Sequence, residues 1–276
     1  MIELFEQDLR KNDRQSSKGN QLKWENNGIW YKADYTGYEG LAEYLCAHFL
    51  KMSSLEEKEF VDYEIEEITY RSKSYLGAKS RDFLKEGWQV ITLERLFKNT
   101  TGHSFTESIY HIEENEERLH FLVDQVERLT GIRNFGIYMN KLLTIDALFL
   151  NEDRHLHNIA VLMDGGGKFE LCPIFDNGAA LLSDTSMDYP LDGDIYRMVD
   201  EVEAKTFCDD FYEQLDVSER LYGNHIQFAF SHKDVEALLQ KDLGYDRKII
   251  ERVVKILHEQ MRKYEYLFSQ SAPDSK

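Results

Sequence analysis

Apolar and polar positions in the early part of the chain mostly follow the two-residue period of β-strands. Apolar runs at 21–24 and 29–33 flank an Asn-Asn-Gly turn that ends at Gly28, and Asn-Gly between two such runs is a strong hairpin signal. Two further runs, 60–74 and 88–97, are rich in β-branched and aromatic residues and predict strands separated by a polar loop. Together these runs predict a small β-sheet.

The period of an α-helix governs one segment of this part and most of the chain after residue 107. Residues 38–52 place apolar side chains at 41, 42, 45, 46 and 49, which form one stripe of a helix. The same period predicts later helices, which are 114–130 (before Gly131, typical of a helix end), 135–150, 199–221, 231–239 (starting at Ser231, typical of a cap) and 245–268. Residues 181–194 predict a loop. Strands followed by helices indicate an α+β fold.

The most informative stretch runs from residue 151 to residue 178. It places Asp153, His155 and Asn158 in one short loop, followed by two apolar strands around a glycine turn and by Asp176 at the end of the second strand. A carboxylate can orient an attacking hydroxyl, and carboxylate and amide oxygens are ligands that suit Mg²⁺. Short polar residues also fill loops for conformational reasons alone. The ordered set is much rarer, and an Asp five residues before an Asn matches the catalytic loop of protein kinases, which favours phosphoryl transfer.

A lysine on a strand and a glutamate on the following helix form a second candidate set. Lys32 lies in the run 29–33, and Glu39 and Glu43 lie one turn apart in the predicted helix 38–52. Kinases use such a lysine to contact phosphate and such a glutamate to orient the lysine. Either glutamate could be the partner, and charged residues on strands and helices are often only solvated.

Two other acidic residues have less direct predicted roles. Asp146 is isolated in the apolar run 135–150, so it should be hydrogen-bonded if buried and should support the loop that follows. Glu94 lies in the segment 91–96, a candidate hinge whose backbone could hydrogen-bond adenine, and it is therefore a candidate nucleotide-binding residue. With the hinge there, the expected lobes are residues 1–92 and 93–276.

Composition limits the class of protein. The chain has 276 residues, 42% of them hydrophobic, which is enough for a substantial core. No apolar stretch reaches the ~20 residues that span a bilayer, and the N-terminus lacks the apolar core of a signal peptide, so a soluble cytoplasmic protein is expected. The net charge of −18 argues against a broad grip on nucleic acid or anionic membranes. The widely spaced Cys46, Cys172 and Cys208 predict reduced core thiols.

The assembled motifs resemble those of the HipA-like serine/threonine kinases, which are bacterial toxin kinases related in outline to protein and phosphoinositide kinases. The matching positions are the catalytic loop Asp153-Arg154-His155-Leu156-His157-Asn158, the strand end Pro173-Ile174-Phe175-Asp176, the pair Glu43-Tyr44, and Ser16, Gly19, Gln21 and Lys23 of a phosphate-binding loop. Lys32 matches the ATP-binding lysine of the family by position. The resemblance favours Glu43 over Glu39 as its partner.

The resemblance implies a two-lobed kinase fold that binds ATP and Mg²⁺ between a β-rich lobe and a helical lobe. It implies that Asp153 and His155 are catalytic and that Asn158 and Asp176 hold the metal. The nucleotide contacts that it implies come from Ser16, Gly19, Gln21, Lys32, Glu43, Asn158 and Asp176. The acceptor would be a serine or threonine of a protein, and Ser16 or the adjacent Ser17 would be autophosphorylated.

The family also implies an antitoxin protein as partner. The chain begins almost directly at the phosphate-binding loop, so the small N-terminal subdomain of longer members is expected to be absent, which weakens the case for a partner bound through it. A lipid kinase of the phosphoinositide type is one alternative, because it shares the Asp-Arg-His sequence, but a charge of −18 suits an anionic membrane poorly. An inactive ATP-binding or antitoxin-binding module is another, against which stand the intact Asp153, Asn158 and Asp176.

Overall fold

The computed structural model describes residues 1–10 and 21–268. Ser16, Ser17 and Gly19 therefore lie outside the described residues. The described strands are β1 (Ile2–Leu4), β2 (Lys23–Asn26), β3 (Ile29–Ala33), β4 (Glu64–Tyr70), β5 (Lys73–Arg81), β6 (Trp88–Thr92), β7 (Ala160–Asp164) and β8 (Phe169–Leu171). The described α-helices are α1 (Glu39–Leu50), α2 (Leu93–Thr101), α3 (Phe105–Tyr110), α4 (Asn115–Thr130), α5 (Phe135–Phe149), α6 (Ile195–Glu201), α7 (Phe211–Tyr222), α8 (His232–Leu239) and α9 (Arg247–Lys263).

The chain forms two compact units, each drawn from separate segments. The first unit comprises Met1–Asp82, Phe175–Val202 and Ile226–Lys276. The second comprises Phe83–Ile174 and Glu203–His225. These units reflect packing and are not the contiguous segments 1–92 and 93–276, so the division into lobes stays a prediction.

A five-stranded sheet with the order β1-β4-β5-β3-β2 forms the first unit together with helices. The predicted hairpin is confirmed, since β2 and β3 pair antiparallel around Asn27 and Gly28, whose φ angles of 53° and 76° are those of a type I′ turn. Helix α1 packs on β3, β4 and β5. On the sheet, a cluster of buried apolar residues joins the strands, with Trp24, Tyr31 and Ile68 among its members.

Two predictions for residues 74–97 are wrong. The polar loop expected after residue 74 is largely strand β5, whose buried positions include Gly77 and Ala78. These small residues give no apolar signal, but an added Cβ at Gly77 would lie 2.0 Å from the Lys32 carbonyl oxygen, so the close packing excludes larger ones. The strand predicted for 88–97 stops at Thr92, whose hydroxyl accepts a hydrogen bond from Arg95 N–H and caps α2.

In the second unit, β6, β7 and β8 form a separate antiparallel sheet, so β6 does not extend the first. Helix α5 is buried on almost every side and packs on α7 and α4. Helix α4 ends at Gly131, where φ is 72°, as the sequence predicts. The predicted hairpin after residue 158 is confirmed, but β8 already ends at Leu171, so Asp176 does not lie at the end of this strand.

Among the later helices, the single helix predicted for 199–221 is wrong. The chain forms α6 and α7 instead, because Asp210 accepts a hydrogen bond from Glu213 N–H and starts a new helix. The Ser231 cap of α8 is confirmed, and α9 fills most of the run 245–268. No helix in residues 1–10 and 21–268 has the length and apolar character needed to cross a membrane.

Candidate active site

Lys32 lies at the centre of a buried polar cluster in the first unit. Its Nζ is 2.6 Å from Glu43 Oε1 and 2.6 Å from Asp176 Oδ1. The side chains of Lys32, Glu43 and Asp176 are 14%, 1% and 22% exposed. We call these three residues the lysine cluster. The structure thus brings together three of the residues that the sequence singles out, one from a strand, one from a helix and one from a loop.

Close backbone packing places α1 where Glu43 can reach Lys32. A Cβ added to Gly40 of α1 would lie 2.5 Å from the carbonyl carbon of Gly77 on β5. Only glycine on the helix lets the two backbones approach this closely. Since Lys32 lies on β3, the strand next to β5, the approach of α1 to the sheet brings its glutamate within reach of the ammonium.

The two glutamates of α1 have different partners. The second oxygen of Glu43 accepts a hydrogen bond from Asn177 N–H at 2.8 Å, which ties the helix to the segment after Asp176. Glu39 instead accepts hydrogen bonds from the backbone N–H groups of the residues before the helix, which are Tyr35, Thr36 and Gly37. Of the two residues that the sequence left open, Glu43 is therefore the partner of Lys32.

The electrostatics of the lysine cluster favour a charged lysine. Burial alone would lower the pKa of Lys32, but the adjacent carboxylates of Asp176 and Glu43 hold it well above its ordinary value. One ammonium group next to two carboxylates leaves the lysine cluster with a surplus of negative charge when all three are ionised. A divalent cation is a suitable counterion for that surplus.

Tyr63 belongs to the same site and was not predicted from the sequence. Its hydroxyl accepts a weak hydrogen bond from Asp176 N–H at 3.5 Å, and Lys32 Nζ lies 5.3 Å from the centre of its ring. Burial raises the pKa of Tyr63 above its ordinary value, so the phenol stays neutral. In the sequence it is one of several aromatic residues in the run 60–74, and nothing local distinguishes it.

The loop 153–158 holds the second group of predicted residues, and it lies in the second unit. Asn158 Nδ2 donates hydrogen bonds to the Asp153 side chain (Oδ2, 2.9 Å) and to the Asp153 carbonyl oxygen at 2.9 Å. Backbone bonds from His155 N–H to Asp153 O and from Asn158 N–H to His155 O close the loop. The amide nitrogen of Asn158 is thus directed to Asp153, and its amide oxygen is the atom suited to a hard cation.

A buried ion pair supports this loop. Arg154 Nε donates to both carboxylate oxygens of Asp146 at 3.2 and 3.0 Å, and Arg154 Nη1 donates to Asn158 O at 3.2 Å. Asn151 Nδ2 also donates to Asp146. Both charged side chains are about 2% exposed. The predicted role of Asp146 as hydrogen-bonded support for the loop is confirmed.

His155 contributes less than its position suggests. Its Nε2 lies 3.7 Å from Asp153 Oδ1, which is too long for a hydrogen bond. Burial lowers the pKa of His155, so its imidazole is neutral at neutral pH. Its Nδ1 is buried and has no hydrogen-bond partner within the described part of the chain. The catalytic role of His155 stays a prediction.

Glu94 has a structural role that the sequence did not indicate. Its buried carboxylate accepts hydrogen bonds from Phe105 N–H at 3.0 Å, Thr106 N–H at 2.9 Å and the Thr106 hydroxyl, which caps the start of α3. The backbone N–H groups of Leu93 and Glu94 donate to the carbonyl groups of Ile159 and Leu156. These two N–H groups are therefore engaged within the second unit. The nucleotide contact predicted for Glu94 and the 91–96 backbone stays a prediction.

The predicted metal ligands suit Mg²⁺ in their chemistry. In residues 1–10 and 21–268, no group of three or more His, Cys, Asp or Glu side chains is arranged to hold a metal ion. Asn158 and Asp176 offer one amide oxygen and one carboxylate. Mg²⁺ is commonly held by few protein groups and completes its shell with water and substrate phosphates, so these two residues fit that ion. Of the predicted phosphate-loop residues, Gln21 lies just before β2 and its nucleotide contact stays a prediction.

Comparison with known proteins bears on the fold. No protein-family model matches the chain, and no curated protein sequence is significantly similar to it. Among solved structures it is similar to the crystal structure of a proinflammatory kinase of Helicobacter pylori, CtkA. That match has a TM-score of 0.60 over 95% of each chain, at 14% sequence identity. Likeness at this identity shows the fold alone. The predicted α+β, kinase-like fold is therefore confirmed, and membership of the HipA-like family stays a prediction.

Proposed function

We propose that this chain is a protein kinase that transfers the γ-phosphoryl group of ATP, with Mg²⁺, to a serine or threonine hydroxyl. One observation carries the proposal: Lys32 Nζ lies 2.6 Å from both the Glu43 and the Asp176 carboxylates. Kinases position their phosphate-contacting lysine by a glutamate of this kind. The kinase-like fold supports the same conclusion.

The lysine cluster has the chemistry needed to hold nucleotide phosphates. The ammonium group of Lys32 would contact phosphate oxygens, and Glu43 would keep it in place because that glutamate is fixed by Asn177 N–H. Asp176 would supply a carboxylate oxygen to the metal. Bound Mg²⁺ would neutralise part of the phosphate charge during transfer.

The loop 153–158 has the chemistry needed to prepare the acceptor. Asp153 would orient the hydroxyl and accept its proton, which a carboxylate held by a neighbouring amide can do without moving. Asn158 would hold Asp153 through its amide nitrogen and the metal through its amide oxygen. The choice of a protein serine or threonine rests on the resemblance to HipA-like kinases, as do autophosphorylation at Ser16 or Ser17 and an antitoxin partner.

The proposal is tested by comparing three aspartate variants with the wild-type protein. Asp153→Asn should lower transfer of labelled phosphate by about 100-fold or more, because it removes the general base, yet bind Mg-ADP normally in a calorimetric titration. Asp176→Asn should instead weaken Mg-ADP binding. Asp164→Asn is the matched control, since that carboxylate accepts hydrogen bonds from the Gly166 and Lys168 N–H groups of the β-turn.

A second experiment identifies the acceptor. The wild-type protein is incubated with labelled ATP, Mg²⁺ and a bacterial lysate, and the labelled species are separated into protein and lipid before mass spectrometry. Label on protein serine or threonine, including residues 16–17 of the chain itself, supports the proposal. Label confined to lipid would assign the acceptor to the alternative class, and equal loss of Mg-ADP affinity in Asp153→Asn and Asp176→Asn would show that the roles are divided wrongly.

A further inference from the structure

A buried arginine in the first unit has an unusual set of partners. Arg252 of α9 is 3% exposed. Its guanidinium donates to Pro190 O and Tyr189 O, each at 3.0 Å, and to the Tyr38 hydroxyl at 3.2 Å. Within residues 1–10 and 21–268 it forms no ion pair with a carboxylate. A buried charge is costly unless it is well hydrogen-bonded. The segments that carry these acceptors are therefore held next to Arg252.

Tyr38 extends the reach of Arg252 to a second point. Its side chain is fully buried, and its hydroxyl donates to Leu181 O at 2.7 Å while it accepts from Arg252. Tyr38 is also the residue that precedes α1. One guanidinium and one phenol therefore connect α9, the start of α1, and two points of the segment 177–190, which follows Asp176.

The segment 177–190 needs such restraint because its backbone is strained. Leu181 and Leu182 have φ angles of 57° and 56°, and Asp176 before them has 62°. Two consecutive leucines in the left-handed region are unfavourable and persist only where the surroundings hold them. Both leucines are fully buried.

The same segment lies directly against the residues before α1. Tyr38 N–H donates to Ser183 O at 3.2 Å, and Ser186 N–H donates to Thr36 O at 2.9 Å. A Cβ at Gly37 would come within 1.8 Å of Ser183 O, so no larger residue fits there. Because Asn177 N–H binds Glu43, displacement of the segment would disturb both carboxylates of the lysine cluster.

We propose that Arg252 and Tyr38 are positioning residues that fix Asp176 and Glu43 for Mg²⁺-dependent nucleotide binding by clamping the segment 177–190 onto the start of α1. The inference rests on the proposed function for its nucleotide readout. Neither residue belongs to the lysine cluster itself. Because Arg252 lies on α9, a helix that contributes no residue to the lysine cluster helps to position Asp176 and Glu43.

Tyr38→Phe is the sharpest test, because it removes one oxygen and keeps the ring. Leu181 O and Arg252 Nε then each lose a partner. We expect the Mg²⁺ concentration that half-saturates ADP binding to rise about three- to tenfold, a change that the loss of two hydrogen bonds is large enough to cause. Metal-free ADP binding should change less, because it does not use Asp176 as a metal ligand. Arg252→Lys, which keeps the charge but cannot reach three acceptors, should show at least the same shift.

Tyr70→Phe is the matched control. Tyr70 is a buried tyrosine in the sheet of the same unit, and its hydroxyl donates to Glu6. Tyr70→Phe should lose some stability without a change in Mg²⁺ dependence. An equal shift in Tyr38→Phe and Tyr70→Phe, or no shift in Tyr38→Phe, would overturn the clamp.

Hydrogen exchange gives a second readout that needs no nucleotide. Amides of residues 177–186 should exchange faster in Tyr38→Phe than in the wild type and Tyr70→Phe, because the segment opens more often. Unchanged exchange there would refute the clamp. Absence of Mg²⁺-dependent ADP binding in the wild type would instead refute the proposed function, so the two failures are distinguishable.

Discussion

Replacing Lys32 with Met would test the electrostatics of the lysine cluster. The substitution keeps an unbranched apolar side chain and removes the ammonium group, which leaves the Glu43 and Asp176 carboxylates without their shared cation. Each carboxylate oxygen lies 2.6 Å from Nζ, so the two oxygens are at most about 5 Å apart. At an effective dielectric constant of about 20, their repulsion amounts to about 3 kcal/mol. Removing one partner of a buried ion pair typically costs about 3–5 kcal/mol of stability. We expect a loss of stability in that range.

The loss should depend on pH with a definite sign. Burial already raises the pKa of Glu43, and removing Lys32 would raise it further. The folded variant then binds a proton that the unfolded chain releases, so its stability decreases as pH rises through the raised pKa. The destabilisation should be larger at pH 7.5 than at pH 5 and should shrink as pH falls towards about 4–5, the ordinary range for a carboxyl group. Adding Glu43→Gln to Lys32→Met should recover most of the loss at neutral pH.

The measurement is urea unfolding followed by tryptophan fluorescence at pH 7.5 and at pH 5. Lys79→Met is the matched control, because Lys79 also lies on a strand of the first unit and also contacts two carboxylates, Glu64 and Glu66. Those contacts are more exposed, so their loss should cost no more than about 1 kcal/mol. Equal losses in Lys32→Met and Lys79→Met, or a Lys32→Met loss that Glu43→Gln does not reduce, would refute the reasoning.

Two further predictions concern other carboxylates. Glu94→Ala should destabilise the protein by about 1–2 kcal/mol through loss of the α3 cap without altering Mg-ADP affinity by calorimetry. A clear loss of affinity would instead support its predicted nucleotide role. Burial raises the pKa of Asp34 from 3.8 to about 7, so its folded form retains a proton that the unfolded chain releases. Wild-type stability should therefore fall by up to about 4 kcal/mol as pH rises from about 4 to about 7. Asp34→Asn should remove this decrease. The same dependence of unfolding free energy on pH in the two proteins would contradict the prediction.

Local sequence signals predicted the parts of the fold in which a few neighbouring residues decide the structure. The hairpin at Gly28, the helix end at Gly131 and the cap at Ser231 each depend on the conformation or hydrogen bonding of one residue, and all three are confirmed. Strand β5 was not predicted, because its buried Gly77 has no room for a side chain next to the backbone of Lys32 on β3. Such a requirement comes from a distant element and leaves no period in the strand itself.

In the candidate site, too, contacts between residues close in sequence were predictable and contacts between distant residues were not. Asp153 and Asn158 are close in sequence, so their spacing alone predicts that they meet, and their hydrogen bonds confirm it. Asp176 is 144 residues from Lys32, and only the resemblance to a family suggested that they belong together. The difference between Glu39 and Glu43 had a local signal, since an acid in the first turn of a helix is stabilised by the positive end of the helix dipole. Glu39 lies there and accepts hydrogen bonds from the N–H groups of Thr36 and Gly37, just before the helix.

The rule that a buried charge needs hydrogen-bonding partners applies to Arg252 as well as to Asp146. Asp146 was predicted to be a hydrogen-bonded support because a charge isolated in an apolar helix must find partners when it is buried. Arg252 meets the same condition, since it lies at helical spacing between the apolar Ile249 and Ile256 of α9. The rule identifies such a residue as buried and bonded, but it cannot name the partners. For Arg252 these are backbone carbonyl groups and a phenol, which no sequence pattern marks. A charged residue on the apolar face of a helix therefore predicts a buried, hydrogen-bonded group, while the segment to which it bonds becomes known only from the folded chain.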